Sequence, residues 1–368
     1  MGKTMSKRTL RMLLLYLAVA SSVCAQELPG LPAGDEPAAA SPWTWFGDFM
    51  LREDHVTGIP RATDTSFTRT FGRGRFGVLY DPIPALEFGA AIKLADASNS
   101  NDLDRSHNNN ERSNDIAIDQ FFLRWRVGED ASVLLGKTEF PLQLAPMLWD
   151  NDLRPVGASG SVSFAVNEFD RLQLIAGYFT GNLMYGDDSR IGAVQAAYNW
   201  HEGAPLNGSV LVSYMAFSSL EQLTLQGLSR TNRRIGNQLV SDFDLLDVQF
   251  VGRALVWNKP LEMRVDLVRN LGAEDQRDGA RFSIVLGDAR RLQGWELGFA
   301  DQRIQRDAAM AAFNSDEWWF HSWARGVMPW VGYGFNPTWS ARLAAFHELR
   351  DGVTEHTDRV LLDLYARW

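Results

Sequence analysis

The chain ends in the stretch Asp358–Trp368, DRVLLDLYARW, and this stretch decides the class of fold. Apolar residues occupy every even position from Val360 to Trp368, and charged residues, leucine and tyrosine fill the positions between them. A repeat of two is that of a β-strand. A final strand that stops on an aromatic residue suits a barrel that closes against its first strand, whereas a soluble domain would leave that edge exposed.

The same alternation recurs along most of the chain. Trp43, Trp45, Phe49 and Leu51 share one face, and Leu86–Ala95 repeats the pattern. Alternation over about ten residues is long for a globular strand and suits a strand that crosses a bilayer at a tilt. Candidate strands lie near residues 43–53, 68–80, 85–95, 115–127, 131–140, 160–167, 171–181, 190–199, 209–218, 243–257, 261–270, 279–288, 293–303, 318–334, 338–349 and 358–368.

The connections between these strands alternate in length. Short ones such as Tyr80–Pro84 and Asn258–Pro260 alternate with long polar ones such as Ser98–Asn114 and Ser219–Asp242. Short turns at one end and long loops at the other are typical of outer-membrane barrels. We therefore predict an all-β fold, a transmembrane antiparallel up-and-down β-barrel of about 16 strands over residues 43–368. A lumen of that width is expected to hold water.

The first residues have the features of an export signal. A basic start precedes the apolar run Met12–Ala20, and a cleavage site follows at Ala25. We predict a signal peptide over residues 1–25 and a flexible leader, rich in Pro, Ala and Gly, over residues 26–42. Lipid modification of Cys24 is the alternative, but Val23 is bulkier than the residue that usually precedes a lipidated cysteine. Cleavage removes the chain's only cysteine, so no thiol chemistry is expected.

Composition excludes several classes of function. Cleavage removes four positive charges and no negative ones, which takes the formal net charge from −9 to −13. So acidic a protein is not expected to bind nucleic acid. After the signal, no apolar run approaches the roughly 18–20 residues of a membrane-spanning helix. The chain is also too short for a transporter with a plug domain and a barrel of about 22 strands.

One connection differs from the others in composition. Gly136–Val156, GKTEFPLQLAPMLWDNDLRPV, begins as a strand, is interrupted by Pro141 and Pro146, and ends in a turn around Asp150 and Asp152. A long loop inside an otherwise regular β chain usually has a function. We predict that residues 141–157 fold inward as a constriction loop that narrows the lumen.

Several of these features occur together in one known family. The export signal, the alternating loops, the terminal Leu364–Trp368 and above all Gly136–Pro141 followed by Leu148–Gly157 resemble the porins of Gram-negative outer membranes. The final Trp368 departs from the phenylalanine with which such barrels usually end. The resemblance implies a 16-stranded pore in the cell outer membrane, homotrimeric, in contact with outer-membrane lipid and lipopolysaccharide, and assembled by the barrel-assembly machinery through its C-terminal strand. It implies no particular solute.

Lumen-facing polar residues would determine what passes through such a pore. The polar phase of the strands places these residues in the lumen wall: Arg73, Arg75, Glu87, Lys93, Gln120, Arg124, Arg126, Lys137 and Glu139. We predict that the basic ones face Asp150, Asp152 and Arg154 of the loop across a constriction. The transverse field between them would favour small charged or zwitterionic solutes over apolar ones. The alternative is that every barrel lumen is polar and that some of these charges lie at the rims.

Tryptophans at or near predicted strand ends are typical of the aromatic girdles that anchor a barrel at both membrane interfaces. They are Trp43, Trp45, Trp125, Trp257, Trp295, Trp330, Trp339 and Trp368. Stacking on sugars is the alternative role for some of them.

Motifs for other chemistry are weak. Gly72–Gly77 fits G-x-G-x-x-G, but no helix follows it to receive a pyrophosphate. Asp102–Ser106 resembles the start of a calcium loop but lacks the glycine and the closing glutamate. The six histidines lack the spacing of a metal site. No catalytic, cofactor-binding or metal-binding residue is therefore predicted.

The predicted function is that of a porin, a water-filled channel for passive diffusion of small hydrophilic solutes and ions, and not that of an enzyme. Two alternatives remain open. One is an outer-membrane barrel enzyme of the phospholipase type, for which His321 and His347 are the only histidines inside predicted strands. The other is a structural or adhesive barrel that does not conduct.

Overall fold

The computed structural model describes residues 41–60, 66–97 and 115–368. Within this part of the chain, Pro42–Trp368 forms one compact unit. The predicted signal peptide, the leader up to residue 40 and the calcium-loop-like Asp102–Ser106 lie outside the described residues. Those three interpretations stay predictions.

Sixteen antiparallel strands close into a barrel. They are β1 Trp43–Thr57, β2 Ser66–Ile83, β3 Leu86–Ala97, β4 Asp115–Val127, β5 Ala131–Lys137, β6 Val156–Ala165, β7 Arg171–Thr180, β8 Arg190–Trp200, β9 Asn207–Ser218, β12 Phe243–Val256, β13 Lys259–Asn270, β14 Asp278–Gly287, β15 Trp295–Ile304, β16 Ala324–Gly334, β17 Trp339–Arg350 and β18 His356–Arg367. The last strand pairs with the first, from Asp48 opposite Arg367 to Thr57 opposite Asp358. The predicted fold class is confirmed, including this closure.

The connections carry only short additional elements. Arg234–Ile235 (β10) and Gln238–Leu239 (β11) form a separate hairpin. Two helices of one turn, α1 Asn182–Tyr185 and α2 Glu221–Leu225, lie in other parts of the loops. In the described part of the chain, no helix has the length and apolar character needed to span a membrane.

All the predicted strands are present, but one begins later than expected. The predicted strand 318–334 corresponds to β16, which starts only at Ala324. The aromatic residues 318–320 precede it in a loop and are buried, Trp318 in a cluster with Phe346 and Leu361, and the next two residues in a cluster with Val56. The sequence predicts a strand over these three residues, whereas in the structure they form buried contacts in a loop.

Side chains alternate between the two faces of the barrel wall. On the inward face, Asp48 of β1 lies opposite Arg75 of β2, and Arg75 lies opposite Lys93 of β3. The other face is apolar and exposed, as at Ile116 (77%) and Phe121 (70%). A continuous apolar outer face is what a barrel surrounded by lipid requires.

Tryptophans mark the end of the barrel that carries the short turns. Seven of the predicted girdle residues lie there, at strand ends or in the turns: Trp43, Trp45, Trp125, Trp257, Trp295, Trp339 and Trp368. Trp330 does not belong with them, because it lies in the inward phase, where Nε1 donates to Glu296 at 2.8 Å. Its assignment to the girdle was wrong, since the periodicity around it was obscured by the aromatic residues that precede β16.

Two loops fold into the barrel from the opposite end. Residues 138–155 connect β5 to β6, and residues 305–323 connect β15 to β16. Their apolar residues, among them Leu148, Trp149 and Phe313, join inward side chains of β7–β9, β12, β13 and β15 in one buried cluster. The lumen is therefore partly filled by protein. The polar space that remains lies along β1–β4 and β18.

Candidate pore constriction

The first inward loop begins at a position that requires glycine. Gly136 has a φ of +120°, and an ideal Cβ there would lie 2.3 Å from the carbonyl oxygen of Phe121. Glycine takes this backbone conformation at little cost, whereas other residues are strained in it. Strand β5 ends one residue later, at Lys137, and the chain leaves the wall for the lumen.

The loop then reaches the inward face of β8 and β12. The N–H of Gln143 donates to Oε1 of Gln195 (3.1 Å), and its carbonyl accepts from Nε2 of Gln195 (2.8 Å) and of Gln249 (2.9 Å). Gln195 lies on β8 and Gln249 on β12, while the two ends of the loop belong to β5 and β6. The loop predicted at 141–157 is thus inward-folded, although its last two residues already belong to β6.

Aromatic stacking holds the middle of the loop in place. Trp149 stacks on Phe140 with ring centroids 4.2 Å apart and on Phe313 of the second loop at 5.5 Å. The N–H of Asp150 donates to the carbonyl of Phe313 at 2.7 Å. The two inward loops therefore support each other, and the second of them, 305–323, was not predicted from the sequence.

The acidic turn brings one of its two aspartates to the barrel wall. Asp152 pairs with Arg73 and, at 3.0 Å, with Arg75. Asp150 is buried (5% exposed), and its Oδ1 accepts from the N–H of Asp152 at 2.8 Å. Asp150 therefore orders the turn and does not line the cavity beside it.

The sequence predicts that opposite charges of the loop and the wall face each other across an open gap. The structure differs, because Asp152 contacts Arg73 and Arg75 directly. Loop and wall touch, so the opposite charges meet directly. Burial opposes ionisation, but Arg73, Arg75 and Arg154 together hold the pKa of Asp152 well below its usual range. Asp152 is therefore a permanent anion at any physiological pH.

A second acidic residue lies at this place and was not predicted from the sequence. Asp119 forms a β-bulge, because Ala91 of β3 lies opposite Gln120 while Ile92 lies opposite Ile118. The bulge turns its carboxylate inward, 3.3 Å from Nε of Arg75 and 3.7 Å from Nε of Arg154. A signal was present, since the apolar phase of β4 changes from even positions before the bulge to odd positions after it.

Other residues predicted to line the constriction lie around Arg73, Arg75 and Asp152. Arg154 pairs with Glu139 at 3.0 Å, and both line the same cavity as Arg73 and Arg75. Lys93 is buried on β3, opposite Arg75 in the register. These positions agree with the predicted lumen wall.

Three predicted residues lie elsewhere. Arg124 and Arg126 both pair with Glu87 near the end of the barrel that carries the turns, so they belong to the rim beneath the constriction. Lys137 lies opposite Phe121 on the outward phase, and its Nζ donates to the carbonyl of Ile118 at 2.6 Å. Its placement in the lumen was wrong, because Gly136 is the inward residue at the end of β5.

The residues above line a polar cavity on one side of the lumen. A cavity of about 620 Å³ lies between the loop and the wall formed by β1, β2 and β18. A second cavity of about 500 Å³ continues from it towards the turns, and Phe46, Gln120, Glu139 and Phe140 line both. Both cavities lie on the β1–β4 side of the loop.

Ion pairs attach the second loop to the same wall, nearer the loop end. Glu317 pairs with Arg342 at 2.9 Å and with Arg52 at 3.3 Å. Burial opposes ionisation, yet these two arginines lower the pKa of Glu317 to about 2. Burial raises the pKa of the neighbouring Asp316 to about 6. None of these residues was predicted to have a role.

The histidines considered for enzymatic chemistry have other partners. His321 is buried in the second loop rather than in a strand, and its Nδ1 lies 2.7 Å from Oδ1 of Asn314. His347 points outward, paired with Asp358 at 2.6 Å and stacked on His356. Within the described residues, no group of three or more His, Cys, Asp and Glu side chains could hold a metal ion.

Solved structures of other proteins have a similar architecture. OprB of Pseudomonas putida, in a structure at high pH, matches with a TM-score of 0.59 and 12% identity, over 89% of this chain and 94% of that chain. A triple mutant of the Rhodopseudomonas blastica porin matches with a TM-score of 0.50 and 10% identity, over 89% and 100%. The chain has the fold of a porin. A loop-deletion mutant of OmpT, an outer membrane protein of Vibrio cholerae, also matches at 0.50 and 10%, over 89% and 100%.

At identities this low, the likeness to these structures establishes the porin fold and no more. Comparison of the sequence itself finds no matching family model and no matching curated protein. Any statement on solutes must therefore rest on the residues of this barrel.

Proposed function

We propose that the chain is an outer-membrane porin that lets small hydrophilic solutes diffuse passively through an off-centre passage beside residues 138–155. The observation that carries this proposal is the polar cavity of about 620 Å³, in which loop and wall residues interleave opposite charges. Arg73, Arg75 and Arg154 supply the positive charges. Asp48, Asp152 and Glu139 supply negative ones within the same space.

Charges of both signs in a narrow space determine which solutes are accepted. A solute that carries a positive and a negative group can exchange partners with both sets, whereas an apolar solute would break ion pairs without replacing them. We therefore infer that small zwitterionic solutes pass more readily than uncharged ones of the same size. The balance of charges also predicts weak selectivity between anions and cations.

The surroundings of the barrel support an outer-membrane location. Its outer face is apolar, and tryptophans mark the end with the short turns, as lipid contact requires. Export through the segment 1–25, assembly through the C-terminal strand and a homotrimeric state stay predictions. A non-enzymatic role agrees with the partners of His321 and His347 described above.

The test is planar-bilayer conductance of the refolded protein, together with liposome swelling in glycine and in a neutral polyol of similar size. Stepwise conductance and faster swelling in glycine would support the proposal, and steps in threes would support the trimer. A folded barrel that never conducts would overturn it and would favour the adhesive or structural alternative. Hydrolysis of phospholipid by the purified barrel would favour the enzyme.

A further inference from the structure

One loop of the barrel contains a carboxylate that is buried without a positive partner. The loop comprises residues 181–189, which connect β7 to β8 at the end that also carries the two inward loops. Its Asp187 is only 1% exposed. The Oδ1 atom of Asp187 accepts from the N–H of Ser189 at 2.6 Å, whereas Oδ2 has no hydrogen-bond partner among the described residues.

A second oxygen in this loop is also left without a partner. The hydroxyl of Ser189 is fully buried and has no hydrogen-bond partner in the part of the chain that the structure describes. Buried polar groups are nearly always hydrogen-bonded, so each exception requires an explanation. Here two exceptions lie on residues only two positions apart.

The backbone of Gly181 leaves the space in which these oxygens meet. A Cβ built on Gly181 would lie 2.8 and 2.9 Å from the two carboxylate oxygens of Asp187, and closer still to the hydroxyl of Ser189. The φ of Gly181 is −77°, a value that other residues adopt equally well. Glycine at this position therefore provides room rather than an unusual backbone conformation, and three side-chain oxygens converge on that room.

The described residues supply no positive charge for this carboxylate. Among them, no ion pair involves Asp187. The charged side chains nearest to it in sequence, Asp188 and Arg190, are both exposed. Burial of an ionised carboxylate is costly unless a cation or a metal ion accompanies it. A hydrogen bond from Ser189 does not neutralise the charge, so the missing partner is expected to come from outside the chain.

We propose that Asp187 and Ser189 bind a divalent metal ion of the calcium class. Carboxylate and hydroxyl oxygens are hard ligands, and Ca²⁺ accepts irregular sets of them that water completes. Residues 181–189 contain no histidine or cysteine, which softer metals prefer. Gly186 and Asp188, on either side of Asp187, are exposed, so an ion can enter from solution. A site with a single carboxylate should have a dissociation constant of about 0.1–1 mM.

The ion holds a loop that supports both inward loops. Tyr185, two residues before Asp187, donates its hydroxyl to the carbonyl of Ala312, and its ring lies 5.8 Å from that of Phe313. Phe313 stacks in turn on Trp149 of the first inward loop. Because the metal binds only the folded arrangement of Asp187 and Ser189, it stabilises the folded barrel.

The experiment measures the heat-unfolding midpoint of the refolded barrel in detergent free of lipopolysaccharide, with a chelator and then with calcium chloride up to about 10 mM. Sodium chloride at the same ionic strength is run in parallel, and isothermal titration calorimetry with calcium chloride measures binding directly. Asp187→Asn removes the charge, and Gly181→Ala fills the space while both ligands remain. Asp188→Asn is the matched control, since this neighbouring carboxylate is exposed.

We expect one calcium ion per chain and a raised midpoint for the wild type and for Asp188→Asn. Asp187→Asn and Gly181→Ala should need at least about tenfold more calcium for the same rise. In chelator, Asp187→Asn should unfold no earlier than the wild type, because it no longer buries an uncompensated charge. Loss of its calcium response would then not reflect a failure to fold.

An equal calcium response in either test variant would overturn the site, and so would an equal effect of sodium chloride. Absence of calorimetric binding to the wild-type chain would overturn it whichever variants fold. No current is measured, so the outcome is independent of the channel proposed above.

Discussion

Asp152 of the inward loop lies 3.0 Å from Arg75 of the barrel wall, and the same carboxylate contacts Arg73. The passage is therefore bounded on this side by an ion-paired bridge rather than by an open gap. Removal of this ion-paired bridge should change both the width of the passage and the sign of the charge that lines the passage.

Replacing Asp152 with Asn should raise single-channel conductance and shift the reversal potential in a salt gradient towards anions. The reason is that Arg73 and Arg75 would lose one counter-charge while keeping their own. Glu129→Gln, in an exposed short turn, is the control and should leave both values unchanged. Unchanged values in the Asp152 variant would remove the loop from the conducting path.

Removal of a positive charge from the wall should shift the reversal potential in the opposite direction. Arg75→Gln leaves Asp48, Asp119 and Asp152 with one positive partner fewer, so the reversal potential should move towards cations. Asp150→Asn should not shift the reversal potential in this way, because the Asp150 carboxylate orders the turn and lies outside the cavity. A shift of the same sign in the Arg75 and Asp152 variants would contradict the assigned geometry.

Trp149→Ala should loosen the inward loop without adding charge. Truncation of a buried tryptophan costs about 3–5 kcal/mol when the site does not collapse, and here it removes the stacking on Phe140 and Phe313. We expect noisier channel currents and faster liposome swelling in larger solutes, with ion selectivity little changed. Quiet currents with an unaltered size limit would show that the loop is held by other contacts.

Gly136→Ala should hinder folding of the barrel. A non-glycine residue at φ +120° is strained by about 1–3 kcal/mol before any clash with the Phe121 carbonyl is added. Gly160→Ala is the matched control, because the nearest atom to its ideal Cβ, the carbonyl oxygen of Ser132, is 3.8 Å away. The yield of heat-modifiable, refolded protein should fall for the first variant and not for the second.

Two carboxyl groups of the second loop should give the barrel its greatest stability against unfolding at an acidic pH. The pKa of Asp316 is raised to about 6, so the stability contributed by its protonated form is complete below the ordinary value of 3.8 and is lost as the pH rises through about 6. The pKa of Glu317 is lowered to about 2, so its contribution is present above 4.5 and is lost as the pH falls towards about 2.

The heat-unfolding midpoint should therefore rise as the pH falls from 7 towards about 4.5 and then decrease, each group contributing at most about 3 kcal/mol. Asp316→Asn should reduce the upper limb of this curve, and Glu317→Gln should reduce the lower one. A curve with the same shape in both variants would assign the pH dependence to other residues.

The architecture was predictable because alternation is a local property. Each strand of a barrel has one face in lipid, so residues such as Leu362 and Leu364 reveal both the strand and its outward face. Closure of the last strand on the first followed from the same alternation. Prediction failed where alternation breaks: at Gly136 it assigned Lys137 to the lumen, and at the bulge of Asp119 it missed an inward carboxylate.

By itself, the sequence determined the barrel class with about 16 strands, the two faces of the wall, the ends that carry turns and loops, and the presence of one inward loop. The structure fixed the number of strands at sixteen. The tertiary structure decided which charges meet. Arg75, Asp119 and Asp152 come from β2, β4 and a loop, so their contacts depend on the register between strands and on the path of the loop through the lumen. The second inward loop also required the structure, because its burial depends on Trp149 and on the inward side chains of distant strands, which no local pattern contains.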